Sequence, residues 1–174
     1  MQPDYKIIPL APSDSVIAAL SLLLMETVAH RGSIGFMHPV APEKAAAFWK
    51  ASLSAAGRGE RIVLGAYLGE ELIGTVTLLL DCPENQPHRG EIAKMMTRVA
   101  YRGRGVDSAL LRAAERMAVE RGRTLLTLDT AEQEGAAGLY EKMGYERTGV
   151  IPDYALMPYG GLTGTIVFWK RIGG

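Results

Sequence analysis

Residues Tyr101–Leu111 read YRGRGVDSALL. A basic, glycine-rich turn passes directly into an apolar pattern rich in alanine and leucine. Leu111, Ala114 and Ala118 recur at helical spacing, as do Leu110, Ala113 and Met117. A helix is therefore predicted over Ser108–Arg121, with Gly122 where a left-handed C-cap favours glycine. At a turn into a helix the first backbone N–H groups have no intrahelical partner, and the macrodipole adds partial positive charge. Such a turn is an anion site, best suited to phosphate. Gly103 and Gly105 keep side chains away from that anion, while Arg102 and Arg104 add charge and fork-shaped donors. Asp107 runs against the pattern. In a first helical turn it complements the macrodipole by roughly 0.3–1 kcal/mol, yet it stands where a phosphate is expected.

Working outward, Glu91–Val99 precedes the turn as a strand, and Thr124–Thr130 (TLLTLDT) follows the helix as a buried strand. A strand–turn–helix–strand unit of this length allows a right-handed parallel crossover. Upstream lie a short strand, Lys6–Leu10, and a helix capped by Ser13 or Asp14 and running to about Ala29. The loop Arg31–Val40 and a second helix, Glu43–Ala56, follow, the latter with Pro42 in its first turn. Ile62–Tyr67 and Leu72–Leu80 read as an antiparallel hairpin, and Asp81–Gly90 as a turn. Downstream, Glu134–Met143 is predicted helical, although Gly135 and Gly138 each cost it on the order of 1 kcal/mol against alanine. Two last strands, Tyr145–Ile151 and Thr165–Arg171, are joined by a loop rich in proline, tyrosine and glycine.

The chain has 174 residues, 48% hydrophobic and 22% charged, which fits one domain over 1–174 with a core of ordinary size. Nineteen basic residues balance nineteen acidic ones, so no global field draws the chain to nucleic acid or to an anionic membrane. An anion must be held by a local cluster, and Arg98, Arg102 and Arg104 form the densest one. The apolar run Val16–Met25 is too short to span a bilayer, and no basic region precedes it as in a signal peptide. A lone cysteine, Cys82, excludes an internal disulfide and agrees with a reducing cytoplasm; packing is its simplest role. His30, His38 and His88 show no metal-ligand spacing with one another or with Cys82, so no metal is expected.

Among phosphate motifs, the Walker loop is excluded because no lysine followed by Ser/Thr closes the turn. The dinucleotide fingerprint lacks its third glycine, having Ser108 there. Arg102-Gly103-Arg104-Gly105-Val106-Asp107 instead resembles motif A of the Gcn5-related N-acetyltransferase (GNAT) superfamily, Gln/Arg-x-x-Gly-x-Gly/Ala. It matches at Arg102 and Gly105 and departs at Asp107. Met95-Met96-Thr97 and GLYEKMGYERTG (Gly138–Gly149) extend the likeness. Within the superfamily GSIGFM (Gly32–Met37), EIAKMM (Glu91–Met96), LLTLDT (Leu125–Thr130) and the loop near Tyr154 resemble the tabtoxin-resistance acetyltransferases. That subfamily inactivates an amino-acid-like antibiotic in bacteria.

The resemblance implies a single α/β domain: a mixed, mostly antiparallel sheet with one splayed parallel pair, flanked by helices. It implies acetyl-CoA as co-substrate, a small amine as acceptor, amino-acid-like or an antibiotic, and allows a homodimer. Two other readings stay open: acetylation of a protein or peptide N-terminus, and an acyl-CoA-binding regulatory domain without turnover. By the same resemblance Tyr140 is the acid for the leaving thiolate, a role its ordinary pKa of roughly 10 suits; its plain alternative is a core tyrosine. Glu91 and Asp129 are the candidate bases, on the expectation that burial raises their pKa. Their alternatives are a salt bridge to Arg89 or Lys94 and a cap. The cofactor-binding set comprises the backbone of Met96 and Thr97, Arg102, Gly103, Arg104, Gly105, Val106, Asp107 and Ser108, with Gln133 and Lys142. Phe36, Met37 and Tyr154, together with Trp49 and Tyr159, are candidates for the acceptor pocket.

Overall fold

The computed structural model describes residues 4–174, apart from the side chain of Glu134. Elements follow in the order β1 (Lys6–Pro9), α1 (Asp14–Ala29), α2 (Pro42–Gly57), β2 (Arg61–Leu68), β3 (Glu71–Leu79), β4 (Arg89–Thr97), α3 (Val106–Glu120), β5 (Leu125–Ala131), α4 (Ala137–Lys142), β6 (Glu146–Leu156) and β7 (Leu162–Arg171). The strands form one seven-stranded sheet in the order β1-β2-β3-β4-β5-β7-β6. Every neighbouring pair is antiparallel except β4–β5, which is parallel, as a crossover through α3 requires.

That parallel pair positions the site. β4 and β5 are in register only at Arg89↔Leu125, Gly90↔Leu126 and Glu91↔Thr127. Beyond these residues β4 stays with β3 up to Thr97, and β5 stays with β7 up to Ala131. The two strands therefore splay, and a wedge opens in the middle of the sheet.

Two apolar clusters cover the two faces. α3 packs Leu110, Leu111, Ala114 and Ala118 over Val76, Leu78, Ile92, Leu126 and Phe168. α1 and α2 pack Leu20, Leu23, Leu24, Trp49 and Leu53 over Val63, Leu72 and Met96. Ile92 and Met96 are four residues apart on one strand and should share a face. They belong to opposite clusters because a β-bulge interrupts β4: Thr77 pairs with Ala93 but Thr75 with Met96, so one extra residue is accommodated at 94–95. Lys94, with φ 53°, carries the irregularity.

Ser13 caps α1 by accepting from the Val16 N–H at 3.1 Å, and Pro42 opens α2. Other boundaries differ from expectation. α3 begins at Val106, because Gly105 in the left-handed region supplies the N-cap. The predicted helix Glu134–Met143 shrinks to Ala137–Lys142, because Gly135, at φ 73°, closes a separate 3₁₀ turn, Glu132–Glu134. β4 stops at Thr97, and a 3₁₀ turn, Val99–Tyr101, takes the chain to the glycine-rich turn. Most of the predicted last loop is strand: β6 reaches Leu156 and β7 starts at Leu162. The ladder absorbs Pro152 and Asp153 as an irregularity between Ile151 and Ala155.

Candidate active site

The first half of the site is a cleft of about 640 Å³ where the C-terminal end of β4 faces the N-terminus of α3. Gly103 and Gly105 have φ of 73° and 80°, and a Cβ on either would meet nothing within 4 Å. The left-handed backbone, rather than crowding, demands glycine here, and the space above the turn is open. The turn is tethered from three directions. The Tyr5 hydroxyl donates to the Arg104 carbonyl at 2.9 Å, and the Tyr101 hydroxyl donates to Glu71 at 2.7 Å. The Glu26 carboxylate accepts from Arg98 Nε at 3.0 Å and from the Val99 N–H at 3.1 Å.

Arg98 also meets Glu71 at 3.4 Å, so it is committed to two carboxylates and drops out of the expected anion cluster. Arg102 and Arg104 stay exposed; Arg102 lines the cleft and Arg104 lies 5.5 Å over the Tyr101 ring. Asp107 lines it too, but its carboxylate accepts from the Thr97 hydroxyl and ties the first turn of α3 to the end of β4. Met96 and Gln133 also line the cleft. Val106 is buried against Gly74 and is a packing residue; Ser108 is half-buried on α3. Lys142 is exposed on α4, outside the lining of the cleft. One wall is a clasp between distant loops: Tyr159 donates to the Ala29 carbonyl at 2.8 Å and stacks on His38 at 4.3 Å, with Arg31 4.7 Å over its ring.

The second half is a cavity of about 360 Å³ in the wedge, lined by residues 33–35, 91–95, 129–131 and 163–165 together with Tyr140 and Tyr154. Ile34 and Met95 line both spaces, so cleft and cavity meet there. Glu91 sits opposite Thr127, and Asp129, two residues further along β5, points to the same face. The Asp129 carboxylate accepts from the Thr165 hydroxyl at 2.8 Å, and Glu91 lies 3.6 Å from the Arg89 guanidinium. Asp129 is exposed and the Glu91 side chain is 37% exposed, so neither carboxylate is buried as expected. Tyr140 is 7% exposed, its ring held 5.9 Å from Tyr145 and 5.7 Å from Phe168. Behind it the Tyr145 hydroxyl is buried, and burial, reinforced by the Glu115 carboxylate, pushes its pKa up.

Of the pocket aromatics, only Tyr154 lines the cavity. Phe36 packs edge-on against Phe48 at 5.3 Å, Met37 is exposed away from it, Trp49 is core, and Tyr159 belongs to the cleft. The residue missed by sequence reasoning is Lys94. The bulge turns it toward α2, with Nζ 5.8 Å from the Phe48 ring centre and 3.6 Å from where a Cβ on Gly35 would stand. Burial lowers its pKa; Asp129 and Glu91 oppose the shift, and Arg61 adds to it. A charged residue inside the otherwise apolar IAKMM was the available signal.

Among the described residues no cluster of three or more His, Cys, Asp or Glu is arranged to hold a metal, and no helix is long and apolar enough to cross a membrane. An extended, phosphate-ended molecule fits the cleft. The edge of β4 beyond Glu91 that faces β5 has no strand partner, and it leads to the open left-handed turn.

The family model described as the acetyltransferase (GNAT) family matches residues 25–145. Human N-acetyltransferase 8B is 33% identical over 82 residues, 46% of this chain and 36% of that protein, so the match spans little more than a third of the relative. The Salmonella typhimurium protein yncA, solved with acetyl-CoA, superposes with a TM-score of 0.78 at 16% identity, covering 97% of this chain and 95% of that one. An aminoglycoside 6'-N-acetyltransferase solved with coenzyme A superposes with a TM-score of 0.75 at 18% identity, covering 97% and 98%. With the fold, the glycine turn and the family match in agreement, the chain belongs to the acetyltransferase (GNAT) family.

Proposed function

We propose that this chain moves the acetyl group of acetyl-CoA onto the amine of a small molecule. The observation that carries the reading is the junction at Ile34 and Met95, where a phosphate-compatible cleft opens into a cavity containing Glu91, Asp129 and Tyr140. Acetyl-CoA supplies an activated thioester. The unpaired edge of β4 at Met96 and Thr97 offers strand-like hydrogen bonds to an extended amide arm. The turn amides with Arg102 and Arg104 hold the phosphates, and the Gln133 amide adds a polar contact. Asp129 or Glu91 takes the amine proton, directly or through water, and Tyr140 returns a proton to the departing thiolate. The exposure of the two carboxylates favours relay through water.

A cavity near 360 Å³ suits a small acceptor, amino-acid-like or an antibiotic, better than a folded protein. We place the protein in the cytoplasm, where acetyl-CoA is made and used. Two measurements test the reading: calorimetry with acetyl-CoA, and thiol release across a panel of small amines and short peptides with free N-termini. Amine-dependent release is expected. Binding without release would make the chain an acyl-CoA-binding domain, and a response to peptides alone would make the acceptor a polypeptide N-terminus.

A further inference from the structure

The acceptor cavity holds one charge that amine acetylation does not call for, the Lys94 ammonium. Two carboxylates alone would welcome any cation; an ammonium among them repels a second cation. Its placement is built, not incidental. Without the bulge, residue 94 would follow Ile92 to the face under α3. The chain holds a lysine at φ 53°, a region rarely occupied by residues with a side chain, and this turns Lys94 toward the cavity. Facing it, Gly35 at φ 90° presents no side chain, which leaves room around Nζ.

Nor is Lys94 paired. Among the described residues no carboxylate lies within ion-pair distance of it: Glu91 is turned to Arg89, and Asp129 to Thr165. A partly buried ammonium without a counter-ion is costly unless a ligand completes it, and the Phe48 ring 5.8 Å away offsets only part of that cost. Resting on the acetyl-transfer reading, we propose that Lys94 binds an anionic group on the acceptor. The acceptor is thus an amine that also carries a carboxylate or a comparable oxyanion. Its amine lies toward Asp129 and Glu91, and its anion toward the Lys94–Gly35 side of the cavity. Burial that disfavours the bare ammonium is relieved when the acceptor's anion arrives.

The test uses pairs of acceptors that differ only in the carboxylate: leucine with isoamylamine, phenylalanine with phenethylamine, histidine with histamine. The full chain and acetyl-CoA are used with each. Wild type should favour the acid member by about a hundredfold in kcat/KM, and Lys94→Met should collapse that preference, while Lys94→Arg restores part of it. Acetyl-CoA affinity, measured by calorimetry, reports that each variant is folded. Equal use of both members by wild type, or an unchanged preference in Lys94→Met, overturns the proposal.

Binding of the N-acetylated acids to wild type and Lys94→Met, followed by NMR, separates the two levels of inference. Lys94-dependent binding with no turnover of any amine supports the anion site and defeats the transfer reading. Binding that ignores Lys94, or no binding at all, defeats the anion site.

Discussion

The donor cleft and the acceptor cavity share Ile34 and Met95, yet they are made in opposite ways. The cleft is largely a backbone structure. Its decisive features, the end of β4, Gly103, Gly105 and the start of α3, occupy one short stretch of chain, and their positive φ values are set by residue type. The cavity is a side-chain structure, assembled from a loop after α1, two splayed strands, a short helix and the last hairpin. A backbone site tolerates sequence change so long as its glycines stay. A side-chain site can be retuned one residue at a time, which is how one fold serves many acceptors.

The sharpest way to break this contrast is Tyr140→Phe. The ring keeps its packing against Tyr145 and Phe168, so acetyl-CoA affinity should hold while kcat falls by about 10²–10⁴. A rate within threefold of wild type removes Tyr140 from proton transfer. Replacing Glu91 by Gln and Asp129 by Asn should flatten the rising limb of the pH–rate profile by about 10²-fold for whichever carboxylate takes the proton; two unaltered profiles assign that proton to solvent. The effect should fall on kcat, not on donor binding.

Gly105→Ala attacks the other half. A left-handed φ of 80° costs a residue with a Cβ about 1 kcal/mol or more, so acetyl-CoA binding should weaken about tenfold while the acceptor KM changes little. Equal damage to both would show the two halves to be one mechanical unit. Asp107→Asn is expected to act in the opposite sense. Asparagine still accepts from Thr97 but removes a charge beside the phosphate path, so binding should tighten severalfold at low salt and less at high salt. No change would place the carboxylate wholly in the service of Thr97.

The smallest effect concerns Tyr145, just behind the cavity. Its raised pKa means that the folded chain keeps the phenolic proton where the unfolded chain, with a pKa of roughly 10, has lost it. The folded state then binds more protons, so this contribution is intact below about pH 10 and is lost as pH rises beyond it. Tyr145→Phe should flatten the alkaline fall in Tm.

The same contrast governs what could be read in advance. YRGRGVD was legible because the conformations it requires are written in its own glycines. Glu91, Asp129 and Tyr140 came through resemblance, and the fold places all three around one cavity. The misreadings share a cause. Arg98 looked like an anion ligand because its partner, Glu26, is 72 residues away. Lys94 looked only like a salt-bridge partner for Glu91, a role that Arg89 takes instead, because the bulge that turns it away arises from register with β3, not from any local turn signal. Phe36 and Met37 belong to the right loop, but its backbone brings Ser33, Ile34 and Gly35 to the cavity instead. The proline, tyrosine and glycine after Ile151 read as a loop, and pairing with β7 extended β6 through them to Leu156 with a shift of register between Ile151 and Ala155.

The wedge has a mechanical side as well. Only three residue pairs join the half-sheet β1–β4 to the half-sheet β5–β7–β6, against seven in the β5–β7 seam. That line is the crease of the molecule. Pulled across the strands, the sheet gives way there first, held on one face by α3, whose core runs beneath both halves. A long molecule lying along the crease acts as a splint. Amide protons of β4 beyond Glu91 should then exchange more slowly, and the two halves part at a higher force, whenever the donor is in place.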